Sequence, residues 1–318
     1  MHKGRFLVMD WQGKAKGYMQ ALEDDGWRET LSFNLADFIL TDMDVLGRRA
    51  LVEEAYKKGK PVFIYPHAAR PLTQWDGMFE PWEHLTAQFV IADGHAEVMR
   101  RYGYPHPLEV TGWTYCEQRE FKPTDCRRVL LGPNHPNANG WLSEVDRETN
   151  RMAFLLLLKM VENGLIELTV QHLDSIEANG LWTDPRVKYL RSQPNQSTET
   201  IDRHDVIVST QTLAYLAIAR GKPTVMMNEN IPPHCGNAEE TFCYAAKWEH
   251  YQDLMMFPLD ILQTKDPFAL LQKACQTDQQ IAEWRKNFIG QPFDAGRFVE
   301  TLEGYLEVEH GPILEPNL

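Results

Sequence analysis

The chain of 318 residues has little cysteine, a shortage of positive charge and no long apolar run, and each lack removes a class of protein. Its five cysteines (Cys116, Cys126, Cys235, Cys243 and Cys275) are odd in number and include no Cys-x-x-Cys pair. A disulfide framework and a structural zinc site are thereby excluded as organising devices, and reduced thiols in a cytoplasm are expected. Lysine and arginine number 32 against 45 aspartates and glutamates, a formal net charge of −13. That balance disfavours broad, counterion-releasing contact with nucleic acid, while leaving room for a small basic pocket around a phosphorylated ligand. A membrane-spanning helix needs about 18 apolar residues or more. The longest candidate, Met152 to Val161, is broken by Lys159 and falls short. Met1 to Asp10 lacks the apolar segment and small-residue cleavage site of a secretory signal. A cytoplasmic protein with no transmembrane segment is the expectation.

What is present is alternation. Apolar residues make up 43% of the chain, enough for packed cores. Short apolar runs alternate with helical patterns, which predicts α/β architecture with parallel strands. In the first half, strands are expected at Arg5 to Met9, Phe38 to Thr41, Pro61 to Tyr65, Gln88 to Ala92 and Pro107 to Thr111. Helices are expected over Arg48 to Lys58 and His95 to Tyr102. Glu117 to Arg128 is polar, charged and carries Pro123, so it reads as a linker. Strands follow at Val129 to Leu131, Ile166 to Gln171, Val187 to Leu190, Val206 to Ser209 and Thr224 to Asn228, with helices over Glu144 to Asn163 and Thr212 to Arg220. From Pro232 the pattern is mainly helical, near Glu239 to Trp248, Pro267 to Asn287 and Ala295 to Leu306. Ala50 to Pro66 and Thr212 to Asn228 echo one another, each a helix, then Gly-Lys-Pro, then an apolar strand. Glycine suits a left-handed helix cap and proline cannot continue the helix. With the linker between the copies, two similar doubly wound halves are expected.

In open parallel sheets, ligands bind beyond the C-terminal strand ends, near helix N-termini. The segment from Asp205 to Thr212 ends a strand at Ser209 and starts a helix within three residues. Ser209, Thr210, Gln211 and Thr212 offer more hydroxyl and amide than a helix cap requires. With the first backbone N–H groups and the positive end of the helix dipole, they could hold a diphosphate. Simple capping is the plainer alternative. Asn134 and His135, in the polar turn Gly132 to Gly140, either contact a phosphate or transferred group or form an ordinary Asn-rich turn.

Asp205 to Val225 resembles the diphosphate-binding segment of GT-B glycosyltransferases and their relatives. Those include CDP-glycerol glycerophosphotransferases and non-hydrolysing UDP-N-acetylglucosamine 2-epimerases. The shared features are a strand, a Ser/Gly/Thr-rich turn and a helix ending in Gly-Lys-Pro. The resemblance implies an α/β fold of two Rossmann-like domains facing a central cleft, with C-terminal helices crossing back. Residues 1–122 would form the acceptor side, 127–290 the nucleotide-donor side, and 291–318 the returning helix. The implied activity is a glycosyltransferase that moves a sugar (or polyol phosphate) from a nucleotide diphosphate donor to an acceptor hydroxyl of unspecified chemistry. It would be metal-independent, with no cofactor beyond that donor substrate. Many members hold the ribose with a carboxylate early in the helix, where this chain has Leu213, Ala214 and Tyr215. A non-catalytic nucleotide-binding relative, a nucleotide-sugar epimerase and a transferase acting on a modified nucleic-acid base therefore remain alternatives, the last disfavoured by the acidic balance. No motif fixes an oligomeric state.

The resemblance also points to a base. Glycerophosphotransferases of this layout carry a His-Gly motif at the corresponding strand end of the first half. In Tyr65-Pro66-His67-Ala68-Ala69-Arg70-Pro71, His67 matches the histidine and Ala68 replaces the glycine. Attack by a hydroxyl needs a base that titrates near neutrality, which His67 supplies. Arg70 could neutralise the leaving diphosphate or a charged acceptor. Asp10 is the second candidate base, in the loop through Gly13 to Gly17, which is no Walker motif. The family layout further places Gln193 near the nucleotide base, and Glu229, just after strand Thr224 to Asn228, and Gly13 are further candidate donor or acceptor contacts.

Overall fold

The computed structural model describes residues 3–9, 15–42, 49–66, 84–101, 104–115, 117, 119–135, 142, 144–173, 175–193, 196–209, 211–227, 256–257, 266–276, 282 and 285–309. The chain divides into two compact units, Met1–Tyr115 with Gly290–Leu318, and Cys116–Ile289. In chain order the elements begin β1 (Arg5–Met9), α1 (Lys16–Asp24), β2 (Arg28–Glu29), β3 (Phe38–Asp42), α2 (Arg49–Lys57), β4 (Val62–Tyr65), β5 (Ala87–Val90), α3 (Asp93–Arg101) and β6 (Leu108–Val110). The second unit supplies β7 (Arg128–Gly132), α4 (Glu144–Glu162), β8 (Glu167–His172), β9 (Lys188–Arg191), α5 (Ser197–Asp202), β10 (Val206–Ser209), α6 (Gln211–Ala219), β11 (Thr224–Met227), β12 (Met256–Phe257) and α7 (Pro267–Gln276). Last comes α8 (Ala295–Glu309), which belongs to the first unit.

Each unit is built on a six-stranded sheet, ordered β2-β1-β3-β4-β5-β6 in the first and β12-β11-β10-β7-β8-β9 in the second. All the strand pairings among the described residues are parallel. This is the α/β architecture expected from the alternation. Strands β3, β4 and β5 are buried along their whole length, as strands covered on both faces must be. On one face of the first sheet Phe6, Tyr18, Trp27, Phe38, Phe63 and Phe89 pack with Phe298 and Leu302 of α8. On the other, Ile39, Val62 and Ile64 pack with Val52 and Ala55 of α2. The second sheet buries Val129, Leu131, Val170, Val206, Val208 and Val225 against Phe154 and Leu157 of α4 and Leu271 of α7.

The Gly-Lys-Pro echo has one physical meaning in both units. Gly59 and Gly221 have φ of 63° and 67°, the left-handed region that closes a helix. Lys60 N donates to Ala55 O at 2.9 Å and Gly59 N to Tyr56 O at 2.9 Å, and Lys222 and Gly221 make the same pair to Ala217 and Ile218. The proline carbonyls, Pro61 O and Pro223 O, then accept from Ile39 N and Ile207 N of the neighbouring strands, both at 2.9 Å. Each lysine reaches back to the turn that leads into that neighbour. Lys60 Nζ donates to the carbonyls of Asn34 and Ala36, and Lys222 Nζ to those of Asp202 and His204.

In the second unit β7 and β10 are also clamped at their entry. The Asp205 carboxylate accepts from Arg127 N at 3.1 Å, Arg128 N at 2.8 Å and the Arg128 guanidinium at 2.7 Å. Burial alone would raise the carboxyl's pKa, but the guanidinium and the two backbone donors outweigh it and hold the group below its ordinary value.

Several elements differ from expectation. The pattern from Pro232 onward predicts mainly helix, yet Met256–Phe257 pairs with β11 as an edge strand too short to leave a periodic signature. Within Pro267 to Asn287, α7 ends at Gln276, and Arg285–Ile289 forms a separate π-helical turn. Helices α1 and α5 and strand β2 were not expected. The helix expected near Glu239 to Trp248 lies outside the described residues.

Two outcomes follow. Gly59→Ala should cost about 1 kcal/mol, the left-handed penalty alone, because a Cβ there meets nothing within 4 Å. Gly221→Ala should cost at least about twice that in urea unfolding, since its Cβ would lie 2.2 Å from Glu120 O. Because the native pKa of Asp205 is depressed, its contribution is present above the unfolded value near pH 4 and is lost as pH falls through the native one. Asp205→Asn should therefore lower stability by about 2 kcal/mol at pH 7, with the gap to wild type closing below about pH 4.

Candidate functional site

The second sheet reverses its strand order at β7. Strands β8 and β9 extend from one side of it, and β10, β11 and β12 from the other. At such a reversal the connections leave for opposite faces of the sheet and open a crevice beyond the C-terminal strand ends. Here those ends are Gly132 and Ser209, which are register partners. Ser209 is buried and its Oγ donates to Gly132 O at 2.8 Å, tying the two strand ends together. A Cβ on Gly132 would lie 2.4 Å from Leu213 Cδ2 and 2.5 Å from Ser209 Oγ. Glycine is therefore what allows the first turn of α6 to sit against the end of β7. Helix α6 carries no acidic residue in its first turn, so no side chain there counters the positive end of its dipole.

The loop leaving β7 is held by asparagines. Asn134 N donates to Asn150 Oδ1 at 2.7 Å, and Asn134 O accepts from Asn150 Nδ2 and Asn179 Nδ2, both at 2.8 Å. Asn150 Nδ2 also donates to Asn179 O at 2.8 Å, and Asn134 Nδ2 reaches Asp146 Oδ1 at 3.3 Å. All three asparagines are at most 3% exposed. Side chains thus give the Asn134 backbone the pairing that no strand or helix supplies at this point. Asn134 is buried and the next residue, His135, is exposed. Sequence reasoning missed Asn150 and Asn179. The signal for Asn150 was its place on the apolar face of α4, one turn before the buried Phe154, where a polar side chain must have a buried partner.

The structure therefore brings Ser209, Asn134 and His135, and the backbone of Gln211 and Thr212, to the neighbouring ends of β7 and β10. Gln193 is exposed just beyond β9, two strands from β7. His67, Asp10, Arg70, Gly13, Glu229 and Thr210 lie outside the described residues. Among the described residues, no three His, Cys, Asp or Glu side chains gather to hold a metal ion. No helix among them is long and apolar enough to cross a membrane.

No family model and no curated protein sequence matches the chain. Solved structures do. MnaA of S. aureus in complex with UDP superposes with a TM-score of 0.57 at 12% identity, over 96% of this chain and 97% of that one. The UDP-GlcNAc 2-epimerase of Methanocaldococcus jannaschii gives 0.57 at 12% identity, over 94% and 99% of the two chains. A putative UDP-N-acetylglucosamine 2-epimerase of Listeria monocytogenes gives 0.55 at 13%, over 97% and 98%. At such identities the likeness is one of fold, and the fold is the GT-B type, as the Asp205 to Val225 resemblance implied.

The asparagine set predicts graded damage. Asn150→Leu takes away both the acceptor for Asn134 N and the donor to two carbonyls, and should cost about 3 kcal/mol in urea unfolding. Asn179→Ala removes one of the two donors on Asn134 O and should cost about 1 kcal/mol.

Proposed function

We propose that the chain is a nucleotide-diphosphate-sugar transferase whose donor diphosphate lies in the crevice beyond β7 and β10. The observation that carries the reading is the reversal of strand order at the point where α6 begins. In this reading the backbone N–H groups of Gln211, Thr212 and Leu213 point at the diphosphate, with the Thr210 and Thr212 hydroxyls beside them. The Ser209 hydroxyl proton is committed to Gly132, so Ser209 contributes chiefly by fixing the turn. The helix dipole then stabilises the negative charge that develops as the diphosphate leaves, with no reorganisation at the moment of reaction. Asn134 and His135 contact the donor from the β7 side, and Gln193 and Glu229 are further donor contacts. His67 or Asp10 takes the proton of an acceptor hydroxyl, and Arg70 offsets phosphate charge. The chemistry needs no metal ion and no cofactor beyond the donor.

A nucleotide-sugar epimerase would use the same crevice without an acceptor. UDP is present in the S. aureus structure, and two of the similar structures are described as UDP-N-acetylglucosamine 2-epimerases, one of them putative, which makes UDP-sugars the first donors to try.

Thermal denaturation with UDP, CDP, GDP, ADP and dTDP, and with their sugars, is the test. A bound nucleotide should stabilise the chain by about 2.7 kcal/mol at a hundredfold excess over Kd. Gly132→Ala, whose Cβ would displace the Leu213 and Ser209 side chains at the turn into α6, should reduce that stabilisation. If no nucleotide shifts the wild-type melting point, the donor crevice is wrong. Release of free nucleotide only when an acceptor is supplied supports transfer, and interconversion of the sugar without acceptor supports the epimerase.

A further inference from the structure

Cys126 and Cys275 are free, buried members of the core of the second unit, although most of that unit's sequence lies between them. Cys126 stands two residues before β7, and Cys275 lies in the last turn of α7. The segment leading into β7 is strapped to the end of that helix. Thr124 N donates to Cys275 O at 2.9 Å, and Gln276 Nε2 donates to Thr124 O at 3.0 Å. Cys126 is the one non-glycine among the described residues with a positive φ, 55°, a conformation that L side chains rarely adopt. Its side chain is buried there, while Asp125 and Arg127 on either side are exposed. The Cys126 thiol donates a hydrogen bond to the Cys275 sulfur, so the two sulfurs already meet. The pair is at the opposite end of β7 from Gly132 and takes no part in the donor crevice.

A single buried cysteine is ordinarily a small hydrophobe. Two whose sulfurs meet from distant parts of the chain, one of them on backbone that disfavours any side chain, offer a chemistry that alanine or valine there would lack. We propose that Cys126 and Cys275 are an oxidative modification site, at which a hydroperoxide closes a disulfide that ties the entry of β7 to the end of α7. The two sulfurs have distinct parts. The hydrogen bond from Cys126, with a second from the Thr124 side chain, holds the Cys275 thiol below its ordinary pKa against burial and the Asp205 and Asp125 carboxylates. The same bond, together with burial, pushes Cys126 up. Cys275 is therefore the thiolate that attacks the peroxide. Its sulfur takes one oxygen as the O–O bond breaks, and the departing hydroxide recovers the proton that Cys275 gave up, forming water. The Cys126 sulfur then displaces hydroxide from the resulting sulfenic acid, and its own proton completes a second water. Two thiols and one hydrogen peroxide thus give one disulfide and two water molecules. The closed product needs no cavity, since it holds two hydrogens fewer and no added atom. The reaction needs passage for one small neutral molecule, and the cover over the sulfurs is a single segment whose Lys122, Pro123 and Asp125 are exposed. Its separation from α7 is a local opening that leaves β7 in place.

The test treats the reduced, full chain under native conditions with an equal concentration of hydrogen peroxide and then maps its peptides without reductant. Cys126 and Cys275 peptides of one chain should be found joined, about 2 Da lighter than the two reduced peptides together, and dithiothreitol should separate them. The oxidised protein should melt about 5 °C higher, because the cross-link closes a loop of about 150 residues in the unfolded chain. That rise should be missing in Cys126→Ser, which should stop at a sulfenic acid that dimedone traps on Cys275. Cys275→Ser should leave Cys126 unlabelled. If either serine unfolds the chain, the wild-type mapping and melting decide by themselves. Joining of the pair only in urea, sulfinic acid in place of the disulfide, or a cross-linked chain that melts no higher overturns the proposal. So does dimedone labelling of Cys126 in preference to Cys275.

Discussion

The second unit depends on one pairing, β7 with β10. These strands are far apart in the chain, and nothing local holds them in register. Two side chains do so from opposite ends. Asp205 gathers the backbone N–H groups of Arg127 and Arg128 at the entry, and Ser209 binds the Gly132 carbonyl at the exit. A slip by one residue would turn Val129, Leu131, Val206 and Val208 away from the core that buries them. Because the register is fixed at both ends, the start of α6 is fixed as well, and with it the direction in which its first N–H groups point.

Asp205 also shows why a charged group can sit near the base of a sheet at little risk. Its carboxylate is largely buried, but two backbone donors and a guanidinium compensate the lost hydration. Lys222 has a related role on the adjacent strand, where its ammonium group is shared between the Asp202 and His204 carbonyls. Lys60 does the same in the first unit. The lysine of each Gly-Lys-Pro corner thus joins the end of one helix to the turn that enters the adjacent strand. A cap alone would need only the glycine and a stop.

That corner was the feature of the fold most legible from sequence, because glycine and proline each act through local geometry, whereas the reach of the lysine to the adjacent turn was not legible. The longer strands were legible as short continuous apolar runs, and α4 through a helical pattern sustained over 19 residues. Strands of two residues, such as β2 and β12, carry no periodicity and exist only through their partners. Helices α1 and α5 are short, and their few apolar positions give a weak pattern. At the site, Ser209 and Asn134 were legible because they follow apolar strands. Asn179 was not, since it is 45 residues from the backbone group it serves and no spacing connects the two. Gly132 was noticed only as a member of a turn, whereas its role is to make space for Leu213.

Both units leave some buried polar atoms unpaired among their described residues, Thr149 Oγ1, Gln171 Oε1 and Asn179 Oδ1 in the second as well as those of the first. In the second unit the side chains of Asn150 and Asn179 nevertheless hold the Asn134 backbone, so the turn beyond β7 is set without help from a strand or helix. Among the described residues of the first unit, Tyr18, Thr111, Trp113 and Thr114 have buried polar atoms without a hydrogen-bond partner. An unpaired buried group forfeits its hydration without return, so each is a cost to the fold. Pairing thus adds to stability around Asn134, while the unpaired atoms of Tyr18 and its neighbours subtract from it.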